Sequence, residues 1–292
     1  MDQYSQWTQQ GGFEELSCSI WSCVGEKSAS FLHGQLTNHI NGLKEGEGNY
    51  NLLLTTRGKI VGDLYVTRAG NGYTLVIDKN QTEKIIEPLK KLAPLSRVIL
   101  NDESGKYSVV HVCVQNPPLG GFRSDRLGLP GWDILVPSIK KSEFILTLEK
   151  QGLMRIDSDL HEIIRVEQGI SQYGIDFDDN NLPQESRLDR ALHFDKGCYL
   201  GQEIIARLHF RGHVNKVLVG LKIDSNKTVL AGSPIYDEEK EVGKITSAII
   251  SPKSGQTMAL GYIPYNSNQP LKKFLVGFDK KEAEIVELPP KR

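Results

Sequence analysis

Apolar and polar positions alternate in short runs along most of this chain, and they set its elements. Residues 49–55, 59–68 and 73–78 read as three strands. A turn carrying Arg57-Gly58 joins the first two, and Asn71-Gly72, a strong hairpin signal, sets off the third. Helical spacing predicts helices over 25–33 and 81–92. Between them, the turn Gly34-Gln35-Leu36-Thr37-Asn38 leads into a second short helix through Ile40, and a strand is expected near 97–100. Residues 106–114 and 131–136 read as strands on either side of a loop, Pro117-Pro118-Leu119-Gly120-Gly121, with a helix over 138–149. After Asp157-Ser158 another helix begins, its apolar stripe carried by Leu160, Ile163 and Ile164. Val217, Val219, Leu221 and Ile223 then open a series of short runs at 234–237, 242–250, 257–263, 274–277 and 283–287, the spacing of a small antiparallel barrel. Strands grouped together with helices interspersed predict an α+β fold rather than a doubly wound sheet. Three modules follow, at about 1–100, 101–210 and 211–292.

Composition narrows the class without naming a function. The 292 residues are 39% hydrophobic and 24% charged, as in an ordinary globular protein. A net charge of −1 supplies no field that draws the chain to nucleic acid or membrane. No apolar run approaches the roughly 18 residues of a membrane span. The opening segment is polar and has no Arg before Arg57, unlike a signal or transit peptide, so a cytoplasmic protein is expected. The four cysteines, Cys18, Cys23, Cys113 and Cys198, contain no C-x-x-C pair; no metal site is suggested, and reduced thiols are expected.

Four places carry candidate chemistry. In Lys196-Gly197-Cys198-Tyr199-Leu200-Gly201-Gln202-Glu203, two glycines bracket one thiol, with a cation before it. Cys198 reads either as a small core hydrophobe or as an accessible thiolate favoured by Lys196. Asp63 interrupts a strand on the face of Val61 and Tyr65, and is either an edge residue in water or a site carboxylate. Glu167 extends the apolar stripe of its helix; it either leaves the frayed end for solvent or enters a partly buried cleft. Arg207, His209, Arg211, His213 and Lys216 form either a solvated turn or an anion site, with Arg207 and Arg211 the leading candidates. Phe210 is the single aromatic there, which gives nucleic-acid binding little support.

The octapeptide Lys196 to Glu203 resembles the K-G-C-(Y/F)-x-G-Q-E signature of the YgfZ family, folate-binding proteins associated with iron–sulfur enzymes. Other segments resemble the related glycine-cleavage aminomethyltransferases. G-K-I-V-G-D-L-Y-V-T is similar to their G-G-I-x-D-D-L-I-V-T, with Gly62 in place of the first of two carboxylates and Asp63 in place of the second. Arg165-Val166-Glu167-Gln168-Gly169, with Tyr173-Gly174-Ile175-Asp176, resembles their R-L-E-A-G…Y-G-x-D, and Pro183-Gln184-Glu185 their P-x-E. The S-P-I-Y…G-K-I-T-S…M-A-L-G-Y-I pattern resembles their terminal barrel. The resemblance implies two ferredoxin-like modules, interleaved in sequence, plus a C-terminal β-barrel. It implies tetrahydrofolate or a one-carbon derivative as cofactor, with Glu167, Asp63 and Tyr173 binding folate. Cys198 and Asp63 are the candidates for catalysis. The function it implies first is a folate-binding accessory protein for assembly or repair of iron–sulfur enzymes, including tRNA-modifying ones, with assembly proteins and client enzymes as partners. A folate-dependent aminomethyltransferase or other one-carbon transferase is the alternative.

Overall fold

The computed structural model describes residues 2–114 and 120–288. The stretch Pro117 to Leu119 of the expected loop lies outside them. The chain separates into two compact units that do not follow chain order. The first comprises residues 1–125, 129–157 and 189–206; the second comprises 126–128, 158–188 and 207–292.

The first unit opens with helix α1 (Gln3–Gln10), capped by Asp2 on the backbone N–H of Ser5. Strands β1 (Gly12–Leu16) and β2 (Cys18–Val24) follow, with Ser17 alone between them. Then come α2 (Ser28–Gln35), β3 (Gly48–Leu54), β4 (Ile60–Ala69), β5 (Gly72–Asp78), α3 (Thr82–Leu92) and β6 (Ile99–Asp102). After these the chain forms β7 (Tyr107–Cys113), β8 (Gly121–Ser124), β9 (Gly131–Pro137), α4 (Lys141–Lys150) and β10 (Met154–Arg155). Two five-stranded sheets result, ordered β3-β4-β5-β2-β6 and β10-β1-β7-β9-β8. The first two strands of the chain thus belong to different sheets. Apolar faces of α2 and α3, including Leu32, Ile85 and Leu89, pack on Leu64, Val66 and Leu75 of the first sheet. Ile145 and Leu148 of α4 cover Phe13, Val110, Val112, Ile134 and Val136 of the second.

In the second unit α5 (Ser158–Glu167) lies against a closed six-stranded barrel. Helix α6 (Gln202–Arg211), whose residues up to 206 belong to the first unit, precedes the barrel strands β11 (Lys216–Ile223), β12 (Pro234–Asp237), β13 (Lys240–Ile250), β14 (Thr257–Pro264), β15 (Lys273–Val276) and β16 (Lys281–Val286). Val219, Leu221, Ile235, Ile245, Phe274 and Val276 fill the interior. On the outer face, Val166 of α5 packs with Leu218 and Leu260. Closure brings β13 and β14 together so tightly that a Cβ on Gly243 would sit 1.8 Å from the Tyr262 carbonyl oxygen. Only glycine fits there.

The α+β class and the terminal barrel are as the alternation predicts, with six strands at the expected runs. The short helix through Ile40 is absent. The Thr37 hydroxyl accepts from Leu52 N–H and donates to the Ala191 carbonyl, and the Asn38 amide donates to the Tyr50 carbonyl, so these side chains compete with helical pairing. Among the described residues no helix is long and apolar enough to cross a membrane.

Candidate functional site

Alternation along β4 sends Gly62 and Asp63 to opposite faces. A Cβ on Gly62 would meet Ile85 Cδ1 at 2.9 Å and Gln81 Oε1 at 2.8 Å, so this position faces the packed side under α3. Asp63, half-buried, lies on the other face, where its Oδ2 accepts from the Tyr50 hydroxyl of β3 at 2.8 Å. Its backbone N–H is taken by Gln81 Oε1. Position 62 therefore contributes no side chain to the Asp63 face, and its glycine is a packing requirement. Gly62→Asp is expected to cost about 1–3 kcal/mol from overpacking, read in urea unfolding. A variant as stable as wild type would contradict this placement.

Asp63 is fixed by a chain of aromatic and cationic contacts. Burial first, and the neighbouring Asp63 carboxylate second, hold the Tyr50 phenol well above its ordinary value of 10.0. Tyr50 therefore stays a donor at neutral pH. Its ring lies 5.0 Å from that of Tyr65 and carries the Arg190 guanidinium at 4.6 Å. Arg190 also donates to the Asp125 backbone carbonyl at 2.6 Å and pairs with the Asp125 carboxylate at 3.2 Å. Burial works against the Arg190 charge, but the fields of Tyr65, Asp125 and Tyr50 outweigh it and raise its pKa. Neither Tyr50 nor Arg190 carries a sequence signal beyond strand alternation, and both were missed.

The octapeptide belongs to the same unit. Lys196 is buried, and its Nζ donates to the carbonyls of His33, Leu36 and Asn38 at 2.6–2.7 Å. These acceptors cluster at the C-terminal end of α2, where a cation is favourable. Burial pulls the ammonium down to about 8. The charge that the sequence assigns to the thiol is thus directed at helix-end carbonyls. Gly201 (φ 82°) closes the loop, because a Cβ there would lie 2.5 Å from the Thr55 carbonyl oxygen and 3.2 Å from Gly58 Cα. Gly197 has open space, with His33 Nε2 the nearest atom at 3.9 Å from its ideal Cβ. Cys198 is exposed. Tyr199 is buried under the Lys196 ammonium, and burial lifts its phenol to about 12. Gln202 and Glu203 start α6, where an acidic side chain suits the helix N-terminus.

Asn38 ties the two places together. Its side-chain amide donates to the carbonyls of both Tyr50 and Arg190, while its own carbonyl accepts from Lys196. Beside it, the His33 and His39 rings meet edge-on at 5.1 Å, and the His39 and His193 rings lie 5.2 Å apart. Desolvation, then the charges of Lys196, His39 and His193, lower His33 to about 4. Among the described residues no group of three or more His, Cys, Asp or Glu side chains is placed to hold a metal ion.

The second unit holds Glu167 and its support. Glu167, at the end of α5, is buried and accepts from the Ser251 hydroxyl at 2.5 Å. Two turns of motif chemistry fix that helix end. Arg165, 1% exposed, donates to Asp176 Oδ2 at 2.7 Å, to both carboxylate oxygens of Glu162 at 2.6 Å, and to Ser247 Oγ at 2.7 Å. Asp176 in turn accepts from Thr246 and Ser247 of β13. The Arg and Asp of the R-V-E-Q-G…Y-G-I-D segment are therefore structural: they anchor the helix to the barrel and so aim Glu167. Tyr173 is buried, its ring edge-on to Phe177 at 5.6 Å. Glu185 accepts from Leu182 N–H, and its carbonyl accepts from Leu218 N–H of β11. Arg207 and Arg211 are exposed, one turn apart on α6, so the basic segment is helix rather than turn through Arg211.

A separate buried cluster lies in the second sheet of the first unit. His111 and Asp133, opposite each other on β7 and β9, are both fully buried, with Nδ1 to Oδ1 at 2.8 Å. Burial lowers the imidazole, but the hydrogen bonds to Asp133 and Cys113 outweigh it and lift His111 to about 10. Because the folded value lies above the ordinary 6.5, this group's stabilisation is complete below about pH 6.5. It drains away as pH rises toward about 10. The unfolding midpoint is expected to fall across that window, and to fall less in His111→Gln. A wild-type midpoint that holds level would contradict this.

With this geometry in place, comparison with known proteins shows what the chain is similar to. Residues 216–290 match the glycine cleavage T-protein C-terminal barrel domain. A crystal structure of glycine cleavage system aminomethyltransferase T from Bartonella henselae superposes with a TM-score of 0.84. It covers 95% of this chain and 85% of its own, at 21% identity. The fold is that of the aminomethyltransferase T-protein. Among curated relatives, an aminomethyltransferase of Thermosynechococcus vestitus is 27% identical over 82% of this chain and 72% of its own. Another, from Chloroherpeton thalassium, is 24% identical over 96% and 86%. These matches support the aminomethyltransferase superfamily, and none singles out the YgfZ branch. They overturn the accessory-factor function: the relatives carry the name of a transferase, and nothing among them points to iron–sulfur partners or tRNA modification.

Proposed function

We propose that this protein is a folate-dependent aminomethyltransferase, or a close one-carbon transferase, with Asp63 as its acid–base group. The observation that carries the reading is a lone half-buried carboxylate, oriented by the Tyr50 hydroxyl, within a fold shared over nearly the whole chain with an aminomethyltransferase. Tetrahydrofolate, as substrate, would supply the amine nitrogens that receive the one-carbon unit. The chain's own donor set suits such a ligand: carboxylates accept the N–H groups of a pterin, and an Arg guanidinium suits its glutamate carboxylates. Glu167 is assigned to the pterin, since a carboxylate held through Ser251 keeps acceptor capacity on two oxygens. Arg190 lies over the ring of Tyr50, whose hydroxyl donates to Asp63. The octapeptide's resemblance to the YgfZ signature supports that branch of the superfamily, with Lys196 holding the loop that presents Cys198.

Titration calorimetry with tetrahydrofolate tests the binding half. Glu167→Gln keeps an acceptor for Ser251 but turns one acceptor into a donor facing the pterin. A loss of about 1.5–3 kcal/mol is expected, the scale of a hydrogen bond to a charged group. Unchanged affinity would remove Glu167 from the folate site.

A further inference from the structure

We infer that Cys113 is a second, independent thiol site: a Cys113–His111–Asp133 triad inside the second sheet that reacts with small peroxides. Cys113 Sγ lies 3.3 Å from His111 Nε2, and His111 Nδ1 lies 2.8 Å from Asp133 Oδ1. A carboxylate only accepts, so Nδ1 carries a proton, and Nε2 is left facing the sulfur. Ser124 completes the arrangement, donating to Asp133 Oδ1 at 2.8 Å with its oxygen 3.1 Å from Nδ1. Nucleophile, base and orienting carboxylate thus stand in hydrogen-bonded sequence, the arrangement that activates a thiol.

The cluster is built rather than incidental. A Cβ on Gly131 would lie 2.5 Å from His111 Cε1, so the glycine makes room for the imidazole. Glu14 of β1, buried and directly opposite His111 in register, adds a second carboxylate to the same face. Around the ring, then, stand Asp133, Ser124 and Cys113, with Glu14 opposite His111 in register. With Nδ1 held by Asp133, His111 Nε2 is placed to take the Cys113 proton when the sulfur reacts. The other cysteines differ. Cys23 is wholly buried, and burial lifts its thiol to about 12. Cys18 donates to Asp78 at 3.5 Å, and Cys198 stands exposed. Cys113 itself is 6% exposed, whereas Cys23 is wholly buried.

The chemistry balances with peroxide as the oxidant. The Cys113 thiolate attacks one peroxide oxygen; an S–O bond forms and the O–O bond breaks. The departing hydroxide takes the Nε2 proton of His111 and leaves as water. Sulfur is oxidised by two electrons to sulfenic acid, and the peroxide is reduced.

The test exposes the folded full-length protein to hydrogen peroxide at pH 6.5 and traps sulfenic acid with dimedone, with each cysteine followed by mass spectrometry. Adduct is expected at Cys113 and absent at Cys23, and His111→Gln is expected to lower the Cys113 adduct roughly tenfold or more. Should that variant fail to fold, alkylation of wild type by iodoacetamide decides. A Cys113 rate nearly level between pH 6 and 8 supports the triad. A rise of roughly tenfold per pH unit, as for an ordinary thiol, overturns it, as does a Cys113 that neither reagent modifies in the folded protein.

Discussion

Asp63→Asn is expected to lower the rate of one-carbon transfer by about 10²–10⁴-fold, the usual contribution of a positioned acid–base group. The reasoning is local. Transfer of an aminomethyl unit onto an amine requires a proton to leave the attacking nitrogen and another to reach the departing one. Asp63 is the carboxylate on its face of β4, since Gly62 points into the packed side against Ile85 and Gln81. Asn keeps the shape and can still accept from the Tyr50 hydroxyl, so folding and tetrahydrofolate affinity should change little while turnover collapses. Tyr50→Phe removes the orienting hydrogen bond without removing the base. Its effect should be smaller, about tenfold, and it should appear in kcat rather than KM. An Asp63→Asn enzyme within threefold of wild type would assign the chemistry elsewhere.

The largest stability effect is expected at Asp176. Replacing it with Ala strips a buried guanidinium of one partner: Arg165 would keep Glu162 and Ser247 but lose its 2.7 Å contact to Asp176. The Thr246 and Ser247 hydroxyls would lose an acceptor in the same step. Removing one member of a buried ion pair typically costs about 3–5 kcal/mol, because the remaining charge has lost its compensation. Urea unfolding should show that loss. Asp176→Ala should also weaken tetrahydrofolate binding, through Glu167, whose helix end the pair anchors to β13. Replacing both Arg165 and Asp176 with apolar residues should be milder than Asp176→Ala alone. A single-mutant cost under 1 kcal/mol would mean the network is not under the strain of burial.

Much of the fold is legible in the sequence because alternation survives wherever one strand face is buried. All six barrel strands, and β3, β4 and β5, declare themselves this way. Strands β1 and β2 do not. Glu14 and Glu15 break the pattern of β1, and Ser19, Ser22, Cys18 and Cys23 dilute β2, although Glu14 and Ser19 are buried. The Ser19 hydroxyl is satisfied by a tertiary partner, the Thr82 hydroxyl, which no local pattern reveals. The site divides in the same way. Asp63 and Glu167 stand out because each interrupts an apolar run. Tyr50 reads as one more strand aromatic, and Arg190 lies in a loop 127 positions after Asp63. Lys196 was legible as a cation beside a thiol, but its true partners, three carbonyls at the end of α2, are over 150 residues away in sequence. The octapeptide pointed most strongly to a family and misled most about activity, since its Lys, Tyr and second Gly shape and hold a loop.

The most direct measurement is a single-turnover assay with tetrahydrofolate and an aminomethyl donor, following formation of the one-carbon folate product in wild type and Asp63→Asn. Wild type should form product in one catalytic phase. Asp63→Asn should bind tetrahydrofolate with near wild-type affinity and form product at least about a hundredfold more slowly. A wild-type protein that binds tetrahydrofolate and yields no product with the donor would contradict the transferase account.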